Sequence, residues 1–252
     1  MRLLIHTASH PALDLALEET LHLGLEEGTS PPTWRIWQAR RPALVLGTGQ
    51  VAGQELHVDA ARTAGVPVLR RHSGGGAVLV GPGVINYSAF CRISEWPGAE
   101  TIAGAMTAVL RPVIEALARM GVRTREEGLS DLVVDEKEGR LRKLAGNAQA
   151  RKRHSLVVHG TLLANPDWRL LERLIRFPTR PPAYRGERSH REFLTSLADL
   201  GAAHDLAAFA ASLGGVLGHV GAPAAAPTEE ESRRAERLCT TKYEREEWNL
   251  RR

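Results

Sequence analysis

Arg70-Arg71-His72-Ser73-Gly74-Gly75-Gly76-Ala77-Val78 follows a short apolar run, Val66 to Leu69. A strand that runs into three adjacent glycines offers backbone without Cβ atoms, free to turn its N–H groups onto an anion. The two arginines beside it carry forked donors matched to phosphate or carboxylate. On strand alternation they point to opposite faces, so one of the pair reaches a pocket. The block is not a P-loop, because no Gly-Lys-Ser/Thr follows it. Two further blocks lie downstream, Lys143-Leu144-Ala145-Gly146-Asn147-Ala148-Gln149 and His159-Gly160-Thr161-Leu162-Leu163. Taken singly, a glycine triplet is equally a tight turn between strands, and a lysine at a strand end is equally a solvated surface residue. The order of the three blocks points instead to one pocket of the adenylate type.

In that order the blocks resemble the lipoate–protein ligase A family, which belongs with biotin ligases and octanoyltransferases in one superfamily. The likeness covers most of the chain. It begins at the Gly-x-x-Gln turn Gly47-Thr48-Gly49-Gln50, and takes in Asn86-Tyr87-Ser88, Asp131 and the two downstream blocks. It ends at Lys242-Tyr243 and Trp248. A biotin ligase is disfavoured, because the Gly-Arg-Gly-Arg type of loop is absent.

The resemblance implies an α+β (mixed α/β) catalytic domain, a mixed sheet flanked by helices. It implies lipoate or octanoate and ATP as substrates, Mg2+ arriving with the nucleotide, and acceptor lysines on lipoyl domains of 2-oxoacid dehydrogenases or on glycine-cleavage H protein. Lys143 is then the catalytic cation that holds the carboxylate against the α-phosphate. Arg71, favoured over Arg70, joins Ser73, Gly74, Gly75, Gly76 and Ala77 around the adenylate. Asn86, Gly146, Ala148, His159, Gly160 and Thr161 complete the surround, and Asp131 is the candidate Mg2+ ligand. Leu46, Val78 and Leu162 either wall the acyl chain or belong to the core. Larger ligases of the family carry a C-terminal accessory domain. This chain stops just past Trp248, so the expectation is a single catalytic domain over 1–252, completed by a separately encoded partner or acting alone as a transferase.

Composition is that of a globular protein. At 252 residues, 43% apolar and 25% charged, the chain can bury a substantial core. No run reaches the length of a membrane span, and Met1 to His6 is too short and polar for a signal peptide. Two cysteines, Cys91 and Cys239, give no disulfide framework, and a cytoplasmic location is expected. The formal charge of +4 would suit an acidic protein partner or a nucleotide. Arg151-Lys152-Arg153 is a local basic cluster, yet no zinc-finger spacing or aromatic–basic signature appears, so nucleic acid is not an expected partner. The ten histidines are scattered without ligand spacing, and a structural metal is not expected.

Along the chain, Leu13, Leu17, Leu21 and Leu25 predict a helix over Pro11 to Glu27. Strands are expected at Thr33 to Gln38, Ala43 to Gly47, Val66 to Leu69 and Leu156 to Leu163, with a short helix over His57 to Ala64. Ala77 to Val80 and Val84 to Phe90 read as a strand pair across Gly81-Pro82-Gly83. Ala99 to Met120 reads as a helix with a kink or break at Pro112. Glu138-Gly139 marks a hairpin between Leu132 to Asp135 and Leu141 to Leu144. Later helices are expected over Asp167 to Arg176, Ser189 to Leu197, Asp205 to Leu217 and Thr228 to Cys239, with Gly221 to Pro227 a loop.

Three readings of the function follow. Asn86 either orients substrate or satisfies backbone, Asp131 either meets Mg2+ or starts a strand, and His159 shapes the pocket without acid–base work. The octanoyltransferases of the superfamily form a thioester on a cysteine, placed shortly before the lysine block in one branch and after the His-Gly strand and its helix in another. Here Thr124 to Ser130 contains no cysteine, and neither does Ile175-Arg176-Phe177-Pro178. ATP-dependent activation is therefore favoured over thioester exchange. A non-catalytic acyl- or nucleotide-binding protein is the third reading.

Overall fold

The computed structural model describes residues 1–136, 139–219 and 225–251. β1 (Arg2–Ile5) leads into α1 (Pro11–Glu27), with the bounds that the leucine spacing predicts. Pro11 occupies the first turn, where its missing N–H is not needed, and Gly28 ends the helix in left-handed backbone at φ 79°. β2 (Thr33–Trp37), β3 (Ala43–Leu46), α2 (Ala52–Glu55), α3 (Val58–Thr63) and β4 (Val68–Arg70) follow. Beyond the glycine loop come β5 (Val78–Val80), β6 (Val84–Arg92), α4 (Ile102–Arg119), β7 (Arg125–Glu127), β8 (Asp131–Asp135), β9 (Leu141–Arg151) and β10 (Ser155–Leu163). The remainder is helical: α5 (Trp168–Leu174), α6 (His190–Phe193), α7 (Leu206–Val216), α8 (Glu229–Leu238), a π-helical turn (Cys239–Tyr243) and α9 (Glu246–Asn249). None of the described helices is long and apolar enough to cross a membrane.

A seven-stranded sheet has the order β1-β2-β6-β10-β9-β8-β7, and a smaller sheet the order β4-β3-β5. β1 runs parallel to β2 and β4 to β3, while the other neighbours are antiparallel. Alternation along β10 divides the core. Leu156, Val158 and Leu162 pack with Met106, Val109 and Leu110 of α4 and Phe209 of α7. Val157 points the other way, into a cluster with Leu17 and Leu21 of α1, Val45 of β3 and Tyr243. The site lies on this second face, between the large sheet, α1 and the small sheet.

Three sequence expectations are revised. β5 and β6 do not pair: β5 joins β3 in the small sheet, while β6 lies between β2 and β10. The turn between them is pinned to the end of β10, because Ala164 and Asn165 both donate N–H bonds to the Gly83 carbonyl, at 3.0 and 2.8 Å. α4 passes Pro112 without a break, since Pro112 and Ala108, whose carbonyl loses its partner, lie at half-buried positions rather than in the core. The helix expected over Ser189 to Leu197 shrinks to α6, closed by a Ser189–Glu192 capping box. Leu194 and Thr195 then run beside Lys143, with Thr195 N–H bonding its carbonyl at 2.9 Å. β8 and β9 do pair antiparallel as the hairpin signal implied, although Glu138 itself, like residues 221–224 of the expected loop, lies outside the described residues.

Candidate functional site

Three antiparallel ladders bring the sequence blocks side by side. Asn86 on β6 faces Thr161 on β10, Thr161 faces Gly146 on β9, and Gly146 faces Asp131 on β8. Ser88, His159 and Ala148 form a second row two residues along. A period of two places both rows on one face of the sheet. Gly160 lies between them, paired with Tyr87 and Asn147. Its missing side chain lets the Tyr87 hydroxyl donate to Asn147 Oδ1 at 2.5 Å, and a Cβ there would stand 2.1 Å from that oxygen.

Lys143 and Gly146 are three residues apart, so on a regular strand they would face opposite ways. A β-bulge removes the conflict. Leu132 pairs with Ala145 and Val133 with Lys143, which leaves Leu144 as the extra residue. Leu144 and Ala145 consequently both enter the core, and Lys143 returns to the face of Gly146. Its Nζ lies 2.8 Å from Asp131 Oδ1. A Cβ on Gly146 would come within 2.7 Å of Lys143 Cε and Nζ, so glycine here is the space the lysine occupies.

Within the triplet, Gly75 alone requires glycine: its φ is 85°, and a Cβ would lie 2.9 Å from Arg71 Nη2. Gly47 fits beneath it, with a Cβ position only 2.1 Å from the Gly75 carbonyl oxygen. Gln50 Oε1 accepts the Gly47 N–H at 2.8 Å and closes the first turn. The N–H groups of Gly74, Gly75 and Gly76 have no partner among the described residues.

The two arginines part to opposite sides, as strand alternation predicts, and each is engaged by backbone carbonyls. Arg71 lines the cavity, but its guanidinium donates to the carbonyls of Gly74, Gly76 and Val45 and to Ser73 Oγ, at 2.6 to 3.2 Å. It clips the glycine loop, and burial lowers its pKa to about 10. Arg70 turns to the other side, where its guanidinium group bonds the carbonyls of Gly47, Gln50, Trp248 and Asn249 at 2.7 to 3.2 Å. Carbonyl dipoles on opposite sides of the strand, rather than an anion, therefore keep the two charges apart.

A cavity of about 370 Å3 receives every residue expected at the site except Arg70 and Gly74. Val78 also lines it, whereas Leu46 and Leu162 belong to core clusters. Sequence reasoning missed Glu18, Trp37 and Ser88, and it missed Pro178, Arg180 and Arg185 from the segment before α6 and Phe193 of α6 itself. Arg185 is held between the rings of Phe177 and Phe193, at 4.5 and 4.9 Å. One signal was available: Arg35 in the otherwise apolar run Thr33 to Trp37 needs a buried acid. Its guanidinium meets Asp14 Oδ1 at 2.5 Å and Glu18 Oε1 at 2.8 Å, all out of solvent. Ser88 donates to the second Glu18 oxygen, and burial still holds the Glu18 carboxyl above its ordinary range.

Asp131 does not fit the Mg2+ role. Its Oδ1 faces Lys143, and its Oδ2 accepts the Tyr184 hydroxyl at 2.8 Å, so a cation there would displace an ammonium group already in place. The cysteines stay out of the cavity. Cys91 is buried in the α4 cluster and Cys239 in the α1 cluster; burial pushes the first thiol far up, and burial with Glu244 pushes the second to about 12.

Three histidines, one buried (His22) and two half-buried (His72 and His159), surround the loop. Ser73 Oγ lies 2.6 Å from His159 Nε2, and His22 Nδ1 lies 3.3 Å from His72 Nε2. Burial lowers His72 to about 3 against the opposing pull of Glu19, burial and then Arg71 lower His159 well below its usual value, and burial lowers His22 to about 4. The native state therefore binds fewer protons than the unfolded chain, whose histidines titrate near 6.5. The stabilisation is fully present above about pH 6.5 and is lost as pH falls towards 4 and then 3. Chemical denaturation at pH 7 and pH 5 is expected to differ by on the order of 2 kcal/mol for each of these histidines. Equal stability at the two pH values would contradict this account.

The profile of the lipoyl protein ligase A/B catalytic domain matches residues 10–216. Octanoyltransferase LipM of Kyrpidia tusciae is 32% identical over 277 aligned positions, covering 98% of each chain. A putative lipoate-protein ligase A of Aeropyrum pernix is 31% identical over 72% of this chain and 64% of its own. Among solved structures, a bi-partite lipoate protein ligase from Thermoplasma acidophilum superposes with a TM-score of 0.82 at 24% identity, over 99% of this chain and 95% of that one. The three blocks converge on one cavity in this same fold, and the profile spans them all. The chain belongs to the lipoyl protein ligase A/B catalytic domain family.

Proposed function

We propose that the chain is the catalytic subunit of an ATP-dependent lipoate–protein ligase. It joins lipoate or octanoate to AMP and passes the acyl group to a lysine of a lipoyl domain or of glycine-cleavage H protein. One observation carries this reading: the cavity sets a lysine among small residues beside a loop with free N–H groups, and no cysteine lines it. Bringing a carboxylate to an α-phosphate means overcoming their mutual repulsion, and the transition state gathers further negative charge. The Lys143 ammonium and the N–H groups of the glycine loop are the donors placed to absorb it. The apolar lining from Leu15, Trp37, Val45 and Val80 suits an alkyl chain. As the acceptor amine attacks, the acyl–phosphate bond breaks, AMP leaves with the electron pair, and Lys143 holds its phosphate.

A second reading, octanoyl transfer from a carrier without ATP, is favoured by the LipM likeness over nearly the full chain. That route takes the acyl group onto a cysteine thiolate, for which the buried Cys91 and Cys239 are poorly placed. Incubation with ATP, Mg2+, octanoate and apo lipoyl domain, beside octanoyl carrier protein without ATP, separates the two. The expected result is ATP-dependent acylation with no hydroxylamine-sensitive adduct on the enzyme by intact mass. An adduct formed without ATP would establish the transferase. The T. acidophilum ligase is described as bi-partite and with its E2 lipoyl domain, which supports supplying an accessory subunit in the assay.

Gly146→Ala tests the geometry. The atoms a new Cβ would strike belong to the mobile end of Lys143, so the fold should survive while the ammonium is displaced. We expect a rate loss of about tenfold or more with little change in Tm, read by ATP–pyrophosphate exchange beside a thermal melt. An unchanged rate would show that the lysine does not act from this position.

A further inference from the structure

We propose that His10, Cys239 and Glu244 form a binding site for a thiophilic divalent cation, of which Zn2+ is the best match, at the joint between α1 and the C-terminal turn. One donor atom from each of the three lies within 4.8 Å of the others. The residues come from opposite ends of the chain, which is why no ligand spacing shows in the sequence. His10 caps the start of α1, and Cys239 and Glu244 bracket the π-helical turn.

That turn brings the last two together. Glu244 N–H donates to the Cys239 carbonyl at 2.9 Å, a bond spanning five residues. In an α-helix, residues five apart diverge around the axis, whereas the wider π turn returns them to one side. Thiolate, imidazole and carboxylate together make the donor set of a three-ligand zinc site with a fourth position open to water. Bonds of roughly 2.0 to 2.3 Å require donors about 3.3 to 3.8 Å apart, so closure demands a shift of on the order of 1 Å. Glu244 is about half exposed, with its side chain 48% accessible, and is free to make that shift. His10 Nε2 is 3.9 Å from Glu244 Oε1, beyond hydrogen-bond length, so neither is committed to the other. On metal binding the S–metal bond replaces S–H and the thiol proton passes to the buffer, so atoms and charge balance.

The site would staple the C-terminal segment to the first helix. In that segment Lys242 and Tyr243 bond Glu19, and Trp248 and Asn249 bond Arg70 at the entry to the glycine loop. The inference does not rest on the proposed reaction, and its readouts need no acyl substrate.

The test is titration of the full chain with Co2+ and with Zn2+ after chelator treatment. We expect a near-ultraviolet thiolate-to-cobalt charge-transfer band saturating at one equivalent, a Tm that rises with Zn2+, and loss of the band in Cys239→Ser. His10→Ala and Glu244→Gln should each weaken Zn2+ by about tenfold or more in calorimetry. Should Cys239→Ser fail to fold, the His10→Ala and Glu244→Gln affinities decide alone, since both side chains reach solvent. No band in the wild type, a band undiminished in folded Cys239→Ser, or wild-type Zn2+ affinity in the other two variants would overturn the site.

Discussion

Lys143→Ala is expected to remove acyl-adenylate formation, by about 100- to 1,000-fold or more, while the protein keeps its fold. The size follows from what the ammonium does. Among the described residues it is the side-chain cation paired with Asp131, and it lies against the small residue Gly146 of β9. The fold should survive because the Lys143 side chain is partly exposed and contributes no core surface. Asp131 retains the Tyr184 hydroxyl as a partner after the loss. ATP–pyrophosphate exchange with octanoate measures the first half of the claim, and a thermal melt the second. Normal exchange in a folded variant would remove Lys143 from the chemistry and take the proposed function with it.

Arg35→Met is expected to have the largest effect on stability. The guanidinium is inaccessible to solvent and serves Asp14, Glu18, the Asp14 carbonyl and the His6 carbonyl, at 2.5 to 3.1 Å. Removing it leaves two carboxylates buried without their cation, a loss of about 3 to 5 kcal/mol. For a chain of this size that is a fall in Tm of roughly 10 °C. Lysine should rescue little, because one ammonium cannot reach four acceptors arranged around a planar fork. Differential scanning calorimetry on the variant checks this; a Tm within about 2 °C of wild type would mean that the carboxylates had found other partners or were not ionised. Because Glu18 lines the cavity beside Ser88, the variant should also bind acyl substrate more weakly.

The sequence revealed what local chemistry determines. Pro11 and Gly28 delimit α1, the apolar runs locate the strands, and the two downstream blocks meet because antiparallel pairing aligns Asn86, Thr161, Gly146 and Asp131 in a single row, to which the small sheet adds the glycine loop. What it hid depends on partners distant along the chain. Nothing near Arg71 says that its donors will be taken by the carbonyls of its own loop, and nothing near Arg70 points to Trp248 and Asn249. The turn at Gly81 to Gly83 looks like a hairpin until Asn165 is seen to bond it. Glu18 looks like a polar position on an amphipathic helix, and only Arg35, on a strand beyond the next loop, explains its burial.

The extra residue at Leu144 has a consequence for any attempt to move this chemistry between proteins. The direction in which the Lys143 amine points is set by an odd–even count along β9, not by the identity of its neighbours. Pairing Leu144 in an unbroken ladder would keep every polar group of the block and turn the amine towards α4 and α7, whereas deleting Leu144 would leave Lys143 and Gly146 two positions apart and on one face. A graft of the Lys-x-x-Gly block onto another strand succeeds only if the recipient carries the same local misfit, so the insertion is as much a part of the functional unit as the lysine.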